Sequence, residues 1–242
     1  MRALLLVITV GYVMPSYSIL KRVANQRDDL TLTALKLDGL GAAGPTVSRE
    51  LASTLGTAWA SGELSMSASW SLRFPGRCRL ELTSTESTKS LAAISNNGKK
   101  RAEGPTFAAA QVALDQVCAL LVLRSGTEGE TREAINKHLS SLKVDTHQVA
   151  LGRFAGTVAF ILGERKEGSA QFWVYKERFL PARVRFADEA GVAWDVRFVD
   201  YTSQATSEWF PRVVEVWKGE EMQLRVSVLA AETRPNVESM KF

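Results

Sequence analysis

The stretch Gly62-Glu63-Leu64-Ser65-Met66-Ser67-Ala68-Ser69-Trp70-Ser71-Leu72-Arg73-Phe74 alternates without interruption. Leu64, Met66, Ala68, Trp70, Leu72 and Phe74 face one way, and the serines and Arg73 face the other. A period of two is the period of the β pleat, and a strand apolar on one side only belongs to an antiparallel sheet with one covered face. Pro75-Gly76 supplies a turn, and residues 77–83 return as a partner strand that puts Cys78, Leu80 and Leu82 on the apolar side.

Working outward, the same signal recurs. Residues 30–40 alternate and 91–95 form a further candidate strand, closed by Asn96-Asn97-Gly98. Residues 154–162, 170–175, 182–187, 192–201, 213–217 and 222–229 follow as a meander. Turns fall at 163–168, 180–181, 188–191, 203–207 and 218–219. These connections are too short for parallel crossovers, so the sheet is antiparallel. Gly41-Ala42-Ala43-Gly44-Pro45 reads as a loop, and 48–55 as one or two helical turns. Two longer helical patterns interrupt the strands. Residues 107–123 are rich in alanine and leucine, with Phe107, Ala110, Leu114, Val117, Cys118, Leu121 and Val122 at helical spacing; residues 130–142 bury Thr131, Ile135, Leu139 and Leu142. Segregated helices beside about 10–11 strands make the fold class α+β.

The sheet needs a cover. Its apolar face carries Leu64, Met66, Trp70, Phe74, Leu80, Phe160, Phe172, Trp194, Phe198 and Leu224, and the 107–123 helix offers Leu114 against it. Either the space between sheet and helices is filled by side chains, or a curled sheet encloses a hydrophobic ligand site under a helical lid. Periodicity identifies the buried face and leaves open what fills it, and whether the helix moves.

Composition excludes several functions. The 242 residues carry a formal charge of +4 with two cysteines and two histidines, so no large nucleic-acid footprint, Cys-rich zinc site or cofactor is expected. His138 and His147 have no partner at ligand spacing, and neither a Gly-x-Ser-x-Gly elbow nor a phosphate loop occurs. No catalytic residue is assigned and no enzyme is expected. Arg73, Arg77 and Arg79 with Lys99, Lys100 and Arg101 form two basic groups near turns, suited either to anionic headgroups or an acidic partner, or to solvated strand faces.

At the start of the chain, Met1-Arg2, the apolar residues 3–14 and Pro15-Ser16-Tyr17-Ser18 form a secretory signal pattern with a cut after Ser18. Residues 19–242 would then form a single exported domain, opened by a short amphipathic helix over 19–29. In an oxidising compartment Cys78 and Cys118 either form one disulfide or stay as two inert buried thiols.

The order of elements resembles the outer-membrane lipoprotein carrier family (LolA/LolB-like). The resemblance runs through the signal peptide, the short helix, Phe74-Pro75-Gly76-Arg77, Ile94-Ser95-Asn96-Asn97-Gly98-Lys99, the helical insert, Phe179-Leu180-Pro181-Ala182-Arg183-Val184, and Asn236-Val237 leading to Phe242. It implies a half-open antiparallel β-barrel with a helical lid, located in the periplasm. The implied role is to carry a lipid or the acyl chains of a lipoprotein between envelope membranes, with transient contact to a membrane surface. The family's basic residue before the strand-ending proline is replaced here by Phe74, so its gating role does not transfer. An alternative expectation is an envelope interaction or sensor protein that uses the same fold to bind a protein partner.

Overall fold

The computed structural model describes residues 14–28, 32–202 and 208–242. The apolar part of the signal pattern up to residue 13, the beginning of the 30–40 alternation and the expected turn at 203–207 lie outside these described residues. Helix α1 (Ser16–Asp28) is followed by strand β1 (Ala34–Ala43), helix α2 (Pro45–Leu55), and strands β2 (Leu64–Arg73), β3 (Arg77–Ser84), β4 (Ser90–Asn96) and β5 (Lys99–Glu103). Helix α3 (Ala108–Val117) runs into a π-helical turn (Cys118–Val122), and α4 (Glu128–Ser141) follows. The chain then forms β6 (Val149–Phe154), β7 (Thr157–Leu162), β8 (Gln171–Tyr175), β9 (Pro181–Ala187), β10 (Ala193–Val199), β11 (Val213–Lys218) and β12 (Glu221–Glu232). No helix among the described residues is long and apolar enough to cross a membrane.

All twelve strands belong to one antiparallel sheet in the order β5-β4-β3-β2-β1-β12-β11-β10-β9-β8-β7-β6. The edges β5 and β6 do not pair, so the barrel stays open. The half-open α+β architecture stands, with twelve strands where ten or eleven were expected. The extra strands have physical causes. Phe154 and Thr157 flank a two-residue turn in which Ala155 (φ 48°) and Gly156 (φ 79°) both have left-handed backbones, the hairpin geometry that matches strand twist. This turn divides the expected 154–162 strand, and β6 lies before it. Likewise Asn97 (φ 49°) and Gly98 (φ 83°) reverse β4 into β5, whose Lys-Lys-Arg-Ala-Glu sequence has no apolar face to reveal it.

The expected loop 41–45 proves to be strand as far as Ala43 and the start of α2 from Pro45. Here β1 and β12 approach so closely that a Cβ on Gly39 would stand 1.9 Å from the Ser227 carbonyl oxygen, and one on Gly44 would stand 1.7 Å from that of Met222. Gly39 also sits at a register shift in the ladder, where β1 follows a bulge. The glycines are therefore required by backbone approach.

The helices lie on one face. α3 packs on β3 and β4 and also on β10, β11 and β12, so it spans both halves of the sheet. α2 covers the β1–β2–β12 region, while α1 packs on α4. α4 starts with a capping box in which Thr127 Oγ1 accepts from Glu130 N–H and Glu130 Oε2 accepts from Thr127 N–H. Gly39→Ala is expected to lower stability by about 2 kcal/mol or more, read as the shift of a urea melt, because backbone rather than a flexible side chain must move.

Candidate functional site

The hydrogen-bond register places the apolar positions in rows that cross the sheet. One row runs Leu64, Ala43, Leu224, Val216, Val196, Val184, Phe172 and Leu162 across β2, β1, β12, β11, β10, β9, β8 and β7. A second runs Met66, Gly41, Val226, Val214 and Phe198. Trp70 stands between Leu37 and Leu80 in a third. Leu114 meets this face from α3.

Ten of the eleven expected binding positions (Leu64, Met66, Trp70, Leu80, Leu114, Phe160, Phe172, Trp194, Phe198 and Leu224) are buried in one contiguous hydrophobic cluster, and Phe74 packs on its edge. The structure thus brings the set together from strands far apart in sequence. In this state the protein's own side chains pack the face, with α1, α2, α3, the π-helical turn and α4 supplying the other side. Trp194 is the marginal member. Its indole N–H donates to Asp188 at 2.9 Å, a bond that is the main cause holding the Asp188 carboxyl below its ordinary value. Trp194 also borders a cleft of about 540 Å³ with Arg183, Arg185, Arg197 and Trp217.

The expected 107–123 helix is tied to one side of the sheet. Cys78 of β3 and Cys118 at the start of the π-helical turn form a disulfide, which decides between the two readings of the cysteines. Lys100 of β5 pairs with Asp115 of α3 at 2.6 Å. Arg124 N–H donates to the Pro75 carbonyl at 2.8 Å, and its guanidinium lies 4.1 Å from the centre of the Phe74 ring. Where the resembled family has a basic residue before the proline, this chain places an aromatic ring there and brings an arginine to it from beyond the helix. α3 is joined to α4 by Gln116, whose Oε1 is 2.9 Å from His138 Nε2. His138 thereby acquires a role in helix packing, and no group of three or more potential metal ligands occurs among the described residues.

Two residues of this region were not singled out from sequence. Trp209 and Phe210, just past the expected 203–207 turn, insert into the core at 3% and 0% exposure. Their rings connect Phe74 to Trp70: Phe74–Trp209 centroids are 5.7 Å apart, Trp209–Phe210 5.8 Å and Phe210–Trp70 6.1 Å. Adjacent aromatics before Pro211 in a polar stretch were the available signal. The indole N–H groups of Trp70 and Trp209 have no hydrogen-bond partner. A buried donor left unpaired costs about 1–3 kcal/mol.

The basic groups do converge. Cross-strand pairing aligns Arg73 with Arg77, Arg77 with Asn96, and Asn96 with Lys99. Arg79, however, is buried and closed by Glu81 and Glu103, and Arg101 also pairs with Glu103. The hydrogen bond from Arg79, followed by the charges of Arg79, Arg101 and Lys241, holds the Glu103 carboxyl below its ordinary value. The opposite face of the sheet is polar: Arg183 and Arg197 share Asp195, and Arg225 reaches Glu215. A groove of about 730 Å³ opens there between the strands and the C-terminal segment, lined by Lys36, Ser69, Arg79, Asn236 and Lys241 among others.

No family model matches the chain, and no curated protein matches it. Among solved structures it is similar to a LolA superfamily protein from Nitrosomonas europaea, at 12% identity over 93% of this chain and 96% of that one, with a TM-score of 0.50. It is also similar to a putative outer membrane lipoprotein-sorting protein domain from Vibrio parahaemolyticus, at 12% identity over 92% and 94%, with a TM-score of 0.47. At such identity the likeness concerns architecture: the chain has a LolA-like fold, an open antiparallel sheet with its helices on one face.

Two outcomes test the packing of this face. The Cys78–Cys118 bridge spans a sequence separation of 40, so reduction should lower stability by about 2–4 kcal/mol; equal urea midpoints for oxidised and reduced protein would contradict it. The Tyr175 hydroxyl donates to the Phe198 carbonyl at 3.3 Å, and burial pushes its pKa up to about 12. A raised folded-state pKa favours the neutral phenol. The contribution is therefore whole below about pH 10, the unfolded value, and is lost as pH rises toward 12. Stability should fall across that window, and Tyr175→Phe should flatten the decline.

Proposed function

We propose that this chain is a periplasmic carrier that binds a lipid, or the acyl chains of a lipoprotein, between its sheet and helices, and passes it between envelope membranes without covalent chemistry. In this reading residues 1–18 are a signal peptide and 19–242 the carrier domain. The cut after Ser18 falls in the first turn of α1, yet the buried α1 residues Ile19, Leu20, Val23 and Ala24 all lie beyond it.

The observation that carries the reading is the covering of the sheet's apolar face. That cover consists of helices outside the ladder, so an apolar ligand can replace helix contacts without breaking a strand. α3 suits the exchange because Ala109, Ala110 and Ala113 form much of its buried side, and small side chains give up little packing when they leave. The ties of the segment to β3, β5 and the Phe74–Pro75 turn leave the β10–β12 side as the one that lifts. The eleven positions named above then meet the ligand. Each methylene transferred contributes about 0.8 kcal/mol, enough to hold a chain of ordinary length and still release it to a stronger acceptor. Arg73, Arg77 and Lys99 at the hairpin end supply a weak attraction to anionic headgroups.

Purified protein should co-purify with lipid in native mass spectrometry, or, once stripped, take up a fluorescent acyl probe saturably. Leu114→Arg should reduce uptake about tenfold or more by placing a charge between lid and sheet. An apo protein that binds no probe would overturn the proposal.

A further inference from the structure

The six tryptophans divide sharply. Four donate their indole N–H at 2.9–3.1 Å: Trp59 to the Gly62 carbonyl, Trp173 to Gln171, Trp194 to Asp188 and Trp217 to Glu215. The two that remain open, Trp70 and Trp209, are 1% and 3% exposed and lie in the core beneath the helices. A chain that provides an acceptor at the four other indoles leaves two strong donors unpaired where water is excluded. Both flank the ring of Phe210, at 6.1 and 5.8 Å between centroids.

Phe210 is the replaceable member of this group. It precedes β11, between Trp209 and Pro211, and among the described residues neither Trp209 nor Phe210 takes part in a backbone hydrogen bond. Its ring can turn aside without breaking the sheet, and the space it leaves lies between the two indoles whose N–H donors are unpaired. Hydrocarbon alone would leave these donors unpaired. An acyl chain brings carbonyl oxygens at its head, which accept hydrogen bonds and carry no donor that would need a partner of its own.

We infer that Trp70 and Trp209 are the polar recognition groups of the site, donating their indole N–H to the ester or carboxyl oxygens at the head of a bound acyl chain, in the place Phe210 occupies here. This rests on the acyl-carrier reading and gives it chemical specificity: the ligand is chosen for its carbonyls as well as its length.

The test measures displacement of a fluorescent acyl probe from the full chain by three competitors: dilauroyl phosphatidylcholine, its dialkyl-ether analogue, and lauric acid. The ester or the acid should bind at least about fivefold more tightly than the ether, the value of one neutral hydrogen bond. Whichever of the two shows the larger preference identifies the source of the carbonyl. Trp70→Phe and Trp209→Phe, which keep a ring and remove the donor, should collapse the ester-to-ether ratio toward one. If either variant fails to fold, the benzothiophene isostere of tryptophan at that position keeps the ring volume and serves instead. Equal affinity of the wild-type protein for ester, acid and ether, or an undiminished ratio in the variants, would overturn the inference while the carrier reading stands. Failure of all three to displace the probe, with no probe uptake, would overturn both.

Discussion

The pairing of β1 with β12 makes one sheet out of two. Strands β2 to β5 form a meander on one side and β6 to β11 another on the opposite side, and their hydrogen-bond ladders meet only where β1 lies against β12. The junction joins strands from opposite ends of the chain, Ala34–Ala43 and Glu221–Glu232. The junction depends on close backbone approach, for which Gly39 and Gly44 make room. The two longer apolar rows described above pass through it, so the covered face exists as one surface only while β1 and β12 stay paired.

From that surface follows the position of the helices. A sheet with one apolar face must bury it, and a helix spanning both halves covers the seam as well as the strands. α3 does this, touching β3 and β4 on one side and β10, β11 and β12 on the other. Its fastening is unequal. The disulfide, the Lys100–Asp115 pair and the Arg124–Phe74 stack all belong to the β2–β5 half. A segment fixed covalently at one side and seated by packing across the other has a defined direction in which to yield.

How much of this was legible in the sequence depended on whether a residue's role was set by its own face or by a distant neighbour. β2 announced itself because its alternation is complete, and the ten apolar strand positions could be assigned to one face by parity alone. β5 was illegible because an edge strand of Lys99, Lys100, Arg101 and Glu103 buries little and shows no period. β1 was misread beyond Leu40 because glycine signals a loop when its neighbours are unknown, whereas here Gly44 answers to the β12 backbone. The disulfide stayed undecided since pairing needs a distance; the Cα atoms turn out to be 6.0 Å apart. Trp209 and Phe210 were passed over because they stand outside any periodic element.

The packed state and the carrier reading are compatible for an energetic reason. An apolar face left exposed after release would cost about 25 cal/mol per Å² of surface returned to water, and would invite association with other chains. Filling the face with the chain's own aromatics removes that cost, but then the ligand gains only the difference between its contacts and those it displaces. A small difference is what exchange between two membranes requires, since a carrier that bound much more tightly than its acceptor would never release. Phe210 fits this balance: its ring covers the face as well as hydrocarbon would, while the indoles of Trp70 and Trp209 on either side of it remain unpaired. The self-filled state is thereby held slightly less favourable than one occupied by a ligand with acceptors, and the site need not be hollow in order to bind.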